Sequence, residues 1–150
     1  MDMQELTIKR REATGKAVAK RLSASLAIID KRREGPNSAV AMHLIGDVRG
    51  RDAVVIDDMI DTAGTLMQAV SALVREGARR ILACGVHPVL SGPAVDRITK
   101  SPLEEVVVTN SIPVPAEKRT AHVTVLTVAP LLGEAIRRIH DEESVSTLFV

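Results

Sequence analysis

Short apolar runs alternate with amphipathic segments along most of the chain. We predict strands over residues 26–29, 41–46, 53–56, 80–86, 105–108 and 123–128. Residues 65–76, 94–99 and 129–140 carry the helical spacing, the last with Leu132, Ala135, Ile136 and Ile139 directed inward. Strands that alternate with helices predict right-handed crossovers. The expected fold is therefore α/β, a doubly wound, mostly parallel sheet flanked by helices.

The two ends of the chain and one charged segment have weaker patterns. Residues 1–25 are rich in helix formers and predict a helix, and residues 145–149 have the apolar character of an edge strand. Residues 30–38 are charged and then turn-forming, so a mobile loop is expected there. No repeat, low-complexity segment or linker divides the chain, so residues 1–150 are predicted to form a single domain.

Composition narrows the class of protein. Among 150 residues there is one Phe, no Trp and no Tyr, so the core must be aliphatic, which suits a parallel sheet covered by helices. A net charge of +1 and the lack of aromatic stacking platforms argue against nucleic acid as a partner. No apolar run approaches the ~20 residues of a membrane span. The single cysteine, Cys84, excludes an intrachain disulfide and fits the cytoplasm; it is interpreted as buried and structural rather than nucleophilic.

An acidic strand end carries the main chemical signal. Asp57 and Asp58 follow the apolar run 53–56, and Asp61, Thr62, Ala63, Gly64 and Thr65 then enter a helix. In parallel sheets ligands bind beyond the carboxyl ends of the strands, and N–H groups at a helix N-terminus can hold a phosphate. The carboxylates suit a vicinal diol, contacted directly or through Mg²⁺. The pattern predicts a ribose 5-phosphate site; the alternative is a turn with an aspartate helix cap.

The same segment resembles the phosphoribosyl-diphosphate motif of the phosphoribosyltransferase fold, and its surroundings resemble the ribose-phosphate pyrophosphokinases. The matching stretches are residues 26–33, 46–48, 57–66, 90–94, 108–113 and 144–149. The resemblance implies transfer of diphosphate from ATP to ribose 5-phosphate with Mg²⁺ near Asp57 and Asp58. It places Lys31 and Arg33 on a catalytic flexible loop. It also places His87 close to the site, where a structural histidine is the alternative.

The resemblance covers only the C-terminal half of that family. It implies a regulatory phosphate site at Ser144 and Ser146, between subunits. Residues 1–16 depart from the family pattern, since residues 6–13 lack the Asp and the Gly pair of its diphosphate loop and look too polar for a central strand. The first helix is expected to fill the space of that strand.

We therefore expect a pyrophosphokinase-like domain that is incomplete by itself. It would act as a homo-oligomer or with a partner that supplies the N-terminal half. Two alternatives stay open. One is a non-catalytic sugar-phosphate-binding or regulatory subunit, or a truncated paralogue, and the other is a phosphoribosyltransferase.

Overall fold

The computed structural model describes the backbone of residues 5–8, 12–33 and 40–149, and the side chains of residues 16–29 and 44–148. Within these ranges a single sheet is formed by β1 (Glu5–Ile8), β2 (Ser25–Arg33), β3 (Val40–Ile45), β4 (Asp52–Ile60), β5 (Arg80–Pro88), β6 (Glu105–Thr109) and β7 (Val123–Leu126). The strand order is β3-β2-β1-β4-β5-β6-β7. Neighbouring strands are parallel except β2 and β3, which are antiparallel.

Three of the described helices connect these strands, and the fourth follows β7. They are α1 (Glu12–Leu22), α2 (Gly64–Arg75), α3 (Ala94–Thr99) and α4 (Ala129–His140), with short 3₁₀ turns at Ala116–Lys118 and Ser146–Phe149. Helix α2 buries Leu66, Ala69, Val70 and Leu73, which recur at helical spacing. It ends before Gly77, whose φ of 83° is easily reached only without a side chain.

Apolar side chains cover both faces of the sheet. Ala53 and Val55 of β4 point into the larger core, which contains the inward face of α2. Val54 points to the opposite face and packs with Ala19 of α1. Because side chains alternate across a strand, this pattern requires a covered sheet on each side. The predicted α/β fold, doubly wound and mostly parallel, is confirmed.

The helical prediction for residues 1–25 is wrong at Glu5–Ile8. This segment is a central strand, with Leu6 in register with Leu26 on one side and with Val54 on the other. Its composition predicts a segment too polar for such a position, but hydrogen bonding to two neighbouring strands stabilises a four-residue strand that the composition does not reveal. Helix α1 therefore does not replace a missing strand. Residues 9–11 lie outside the described residues, so the atypical segment 1–16 stays a prediction.

The predicted mobile loop at residues 30–38 is wrong for its first part. Residues 30–33 continue β2 and pair with β3, from Asp30 opposite His43 to Arg33 opposite Val40. This antiparallel ladder satisfies the backbone of both strands, so a charged sequence can be extended there. Residues 34–38 lie outside the described residues.

The C-terminal segment differs from the prediction in two ways. The predicted edge strand over residues 145–149 is wrong: Ser146–Phe149 form a 3₁₀ turn. Helix α4 has the predicted bounds, but its apolar face is not inward: Leu132 is 56% exposed, Ile136 68% and Ile139 68%, and Ala135 is half-buried. Periodicity identifies an apolar face but not what covers it, and within residues 12–33 and 40–149 no element buries this one.

Candidate functional site

The candidate site lies where β4 passes into α2. Strand β4 continues beyond its predicted end at Ile56, because β5 pairs with it as far as Ile60 opposite Pro88. Asp57 and Asp58 therefore belong to the strand, and Asp57 is in register with Gly85. The position at the carboxyl edge of a parallel sheet is the one where ligands bind in open α/β folds.

The residues Asp57–Leu66 line a cavity of about 420 Å³. This volume is within the range of small-molecule sites. The cavity brings together all the residues predicted to bind ribose 5-phosphate, namely Asp57, Asp58, Asp61, Thr62, Ala63, Gly64 and Thr65. Asp57 is half-buried, whereas Asp58, Asp61, Thr62 and Thr65 are exposed and accessible to a ligand.

The turn into α2 has the features of an anion site. Ala63 precedes the helix with φ of 57°, a left-handed conformation that costs of order 1–3 kcal/mol for a non-glycine residue and recurs at ligand-binding sites. No side chain caps this end of the helix, and its first turn contains no acidic residue. The first N–H groups of a helix have no intrahelical acceptor, so these donors are left for a ligand or water.

The hydrogen bonds of the Asp57 and Asp61 carboxylates differ from those of an aspartate that caps a helix. Asp57 Oδ1 accepts a hydrogen bond from the Asp58 N–H at 3.0 Å. Asp61 Oδ1 accepts one from the Ser91 hydroxyl. Neither bond satisfies an N–H group of α2, so the alternative of a turn with an aspartate helix cap does not describe this loop.

Residues that follow β5 stabilise the loop by hydrogen bonds to its carbonyl groups. The Leu90 N–H donates to the Ile60 carbonyl at 3.0 Å, and the Ser91 N–H donates to the Asp61 carbonyl at 3.1 Å. Arg97 Nη1 of α3 donates to the Thr62 carbonyl at 2.8 Å. Ser91 lies in one of the stretches that resemble the family, but the sequence does not predict the Arg97 contact, since no local pattern indicates a contact between distant segments.

A second polar group lies at the same edge, at the ends of β5 and β6. The Ser111 hydroxyl donates to the Val86 carbonyl at 2.8 Å, and His87 Nδ1 lies 3.0 Å from the Ser111 oxygen. Because the serine hydroxyl has a single proton, Nδ1–H is the donor to Ser111. Nε2 of a neutral His87 is then an acceptor, and the ring is exposed at this edge.

Cys84 is not arranged as a nucleophile. Its side chain is half-buried against the apolar cluster around Ala19 and Val54. Burial, with a smaller contribution from the negative charge of Glu105, raises the pKa of the thiol above its ordinary value. A raised pKa disfavours the reactive thiolate, which supports the structural interpretation.

The chain is similar to proteins of one known family. The family model described as phosphoribosyl synthetase-associated domain matches residues 29–150. Ribose-phosphate pyrophosphokinases from Oceanobacillus iheyensis and Bacillus cereus are 54% and 56% identical to the chain over 132 residues. The chain belongs to the ribose-phosphate pyrophosphokinase family. The match spans 88% of this chain but 42% of each of these relatives, so the chain covers about two fifths of a pyrophosphokinase.

Solved structures agree with this family assignment. The phosphoribosylpyrophosphate synthetase of Mycobacterium smegmatis superposes with a TM-score of 0.85 at 34% identity, over 94% of this chain and 46% of that one. An adenine phosphoribosyl transferase from Trypanosoma brucei has a TM-score of 0.55 at 17% identity, over 83% of this chain and 55% of that one. The second likeness shows the shared fold alone.

The pyrophosphokinase resemblance also implied roles for residues outside the cavity. Lys31 and Arg33 lie on strand β2, so the expectation that they lie on a flexible loop is wrong. Their side chains are outside the described residues, and their catalytic role stays a prediction. Ser144 and Ser146 lie after α4, where Ser146 N–H donates to Ser144 Oγ at 3.2 Å, and they do not line the cavity. A regulatory phosphate site there also stays a prediction.

Within the described residues no group of three or more His, Cys, Asp or Glu side chains could hold a metal ion. No helix among those residues has both the length and the apolar character needed to cross a bilayer.

Proposed function

We propose that this chain forms the sugar-phosphate-binding part of a ribose-phosphate pyrophosphokinase, which transfers diphosphate from ATP to the 1-hydroxyl of ribose 5-phosphate. The observation that carries the proposal is that an uncapped helix N-terminus and the carboxylates of Asp57 and Asp58 line one cavity. The names of the relatives support the reaction.

In this proposal the loop binds the two ends of the sugar phosphate by different chemistry. The N–H groups at the start of α2 and the hydroxyls of Thr62 and Thr65 donate to the 5-phosphate. The carboxylates of Asp57 and Asp58 would repel a phosphate, because both groups are negatively charged. They therefore accept hydrogen bonds from the ribose hydroxyls instead. The distribution of donors and acceptors along the loop thus determines the orientation in which ribose 5-phosphate binds.

The donor set at the site fits Mg²⁺ in a limited way. Asp57 and Asp58 supply hard carboxylate oxygens, and Mg²⁺ is often held by one or two carboxylates together with waters and substrate oxygens. They do not form an all-protein cage, which agrees with the lack of a larger ligand cluster in the described part of the chain. When bound, Mg²⁺ would neutralise charge on phosphate oxygens.

The transfer step places different demands on the protein. The 1-hydroxyl oxygen attacks the β-phosphorus of ATP, the bond between this phosphorus and the oxygen bridging to the α-phosphate breaks, and AMP leaves with that oxygen. The hydroxyl proton passes to solvent. Such transfers depend on positioning and on cations that stabilise the phosphate oxygens, the role proposed for Lys31 and Arg33.

We also propose that the chain works in the cytoplasm as a homo-oligomer or with a partner that supplies the other half of a pyrophosphokinase. The single cysteine fits a reducing compartment. The exposed apolar face of α4 supports an additional protein contact.

Titration calorimetry with ribose 5-phosphate tests the binding site. We expect Asp57→Asn and Asp58→Asn each to weaken binding by roughly tenfold or more, because each removes a charged acceptor. Asp96→Asn is the matched control, since Asp96 is an exposed carboxylate of α3 paired with Lys100 and absent from the cavity lining. Equal binding by all four proteins, or none by any, would remove the site.

Release of AMP from ATP in the presence of ribose 5-phosphate and Mg²⁺ tests the reaction. Turnover by the chain alone would establish the pyrophosphokinase activity directly. Binding without turnover would favour the non-catalytic sugar-phosphate-binding alternative. Addition of a nucleobase and phosphoribosyl diphosphate gives the third arm, since nucleotide formation would identify a phosphoribosyltransferase.

A further inference from the structure

Arg97 links α3 to the cavity-lining segment Asp57–Leu66, the sugar-phosphate loop of the proposed function, through a hydrogen bond to its main chain. Its Nη1 donates to the Thr62 carbonyl at 2.8 Å, although the two residues belong to consecutive βα units. Buried residues of the same helix keep α3 in place: Ala94 and Ile98 are fully buried, and the Arg97 N–H donates to the Pro93 carbonyl at 3.0 Å. The backbone of Arg97 is therefore anchored, whereas its side chain is exposed.

This contact controls the orientation of one peptide group. The peptide bond between Thr62 and Ala63 is trans, so its carbonyl and its N–H point in opposite directions. A carbonyl held by Arg97 directs the Ala63 N–H away from α3. The positive charge on the carbonyl side also polarises the peptide, which makes that N–H a stronger donor.

The conformation around this peptide leaves little room for alternatives. Ala63 has φ of 57°, which is unfavourable for alanine and must be imposed by its surroundings. At the next position, a Cβ added to Gly64 would lie 3.3 Å from Arg97 Nη1 and 3.6 Å from Thr62 Oγ1. Glycine thus allows the guanidinium to approach the loop backbone closely.

From this geometry we propose that Arg97 is a positioning residue, which holds the Thr62–Gly64 backbone in the conformation that binds the 5-phosphate. The inference rests on the proposed function for the identity of the ligand. Arg97 acts through the Thr62 peptide and not by contact with the sugar phosphate.

The test compares Arg97→Ala with Lys100→Ala in the full chain. Lys100 is the matched control because it is a cation of the same helix, and it pairs with Asp96 at 2.7 Å on the solvent side. We expect Arg97→Ala to shift the ¹⁵N–¹H signals of Ala63 and Gly64 in the ligand-free protein. We expect it to weaken ribose 5-phosphate binding by about tenfold, the change that corresponds to one charge-assisted hydrogen bond.

A conservative variant and a stability measurement separate positioning from general stability. Arg97→Lys should recover part of the affinity, since an ammonium group can still donate to a carbonyl. The thermal midpoint of Arg97→Ala should stay within a few degrees of the wild type, because an exposed contact contributes little to folding. Affinity lost together with the midpoint, with shifts spread over the whole chain, would overturn the proposal.

The remaining outcomes distinguish this inference from the proposed function. If the wild type binds ribose 5-phosphate and Arg97→Ala binds it equally with unchanged amide signals, Arg97 is not a positioning residue. If the wild type does not bind, the proposed function fails and the ligand in this inference fails with it. A signal shift confined to Ala63 and Gly64 would then still show that Arg97 holds the loop.

Discussion

Replacing Gly85 by alanine should disturb the sugar-phosphate loop from beneath. Gly85 is buried in β5, and a Cβ built on it would lie 2.7 Å from Ile60 Cδ1 and 2.8 Å from Ile60 Cγ1. Real Cβ atoms do not approach other atoms so closely, so Ile60 must move. Ile60 is itself 3% exposed, and it lines the cavity at the end of β4. A shift of its side chain therefore reaches both the core and the site.

The expected magnitudes follow from these contacts. Overpacking a core in this way costs about 1–3 kcal/mol. Ile60→Ala alone should cost about 2–5 kcal/mol, since it empties a buried site. In the double variant the nearest remaining atom, Ile60 Cβ, is 3.9 Å from the new methyl group, an ordinary contact. The double variant should thus be more stable than the sum of the single changes predicts, by about 1–3 kcal/mol.

Urea unfolding of the wild type, both single variants and the double variant measures this coupling. Gly133→Ala is the control, because nothing lies within 4 Å of a Cβ at this exposed position of α4. That change should be neutral or stabilising by up to about 1 kcal/mol. Gly85→Ala should also weaken ribose 5-phosphate binding. Additive free energies within about 0.5 kcal/mol would refute the reasoning.

Two further predictions concern charge and assembly. The hydrogen bond from Arg79 lowers the pKa of Asp52 below its ordinary value, and two arginines lower the pKa of Glu134 to about 2. Glu134 thus stabilises the fold above pH 4.5 and loses this contribution as the pH falls towards 2. Asp52 likewise stabilises the fold above its ordinary pKa of 3.8 and loses this contribution as the pH falls below that value. In thermal unfolding the loss of stability caused by Asp52→Asn at pH 7 should therefore shrink in acid, and a constant difference would contradict the assignment. The exposed face of α4 predicts self-association with a second copy, which Leu132→Glu and Ile136→Glu should abolish in light scattering; a wild-type chain that stays monomeric at high concentration would contradict this.

Most elements could be predicted because their signals are local. The predicted bounds of α3 and α4 match the structure, and α2 differs by one residue at each end. A helix of twelve residues contains its own hydrogen bonds and displays a complete apolar period. Strand β1 has only four residues, and both of its neighbours come later in the chain. Its identity depends on that pairing, which a local pattern does not contain.

The candidate site also has a part that is local in sequence and a part that is not. Its lining, Asp57–Leu66, is one continuous segment, and the chemistry of a strand-to-helix turn can be interpreted residue by residue. The supporting contacts come from elsewhere: Ser91, Arg97 and the space left by Gly85 all follow in the next βα unit. No spacing rule connects these residues to the loop, so sequence reasoning could predict which residues line the cavity but not what holds the loop.

The topology explains why the next unit has this role. Because β4 and β5 are parallel neighbours, the loops that follow them meet at the same carboxyl edge of the sheet. The first loop has left-handed backbone at Ala63 and an uncapped helix end, both of which are costly without external contacts. The second supplies main-chain hydrogen bonds from Leu90 and Ser91. Loss of these contacts should therefore weaken phosphate binding even though every residue of the lining is unchanged. If the lining held its shape without them, phosphate binding would not change when the contacts are lost.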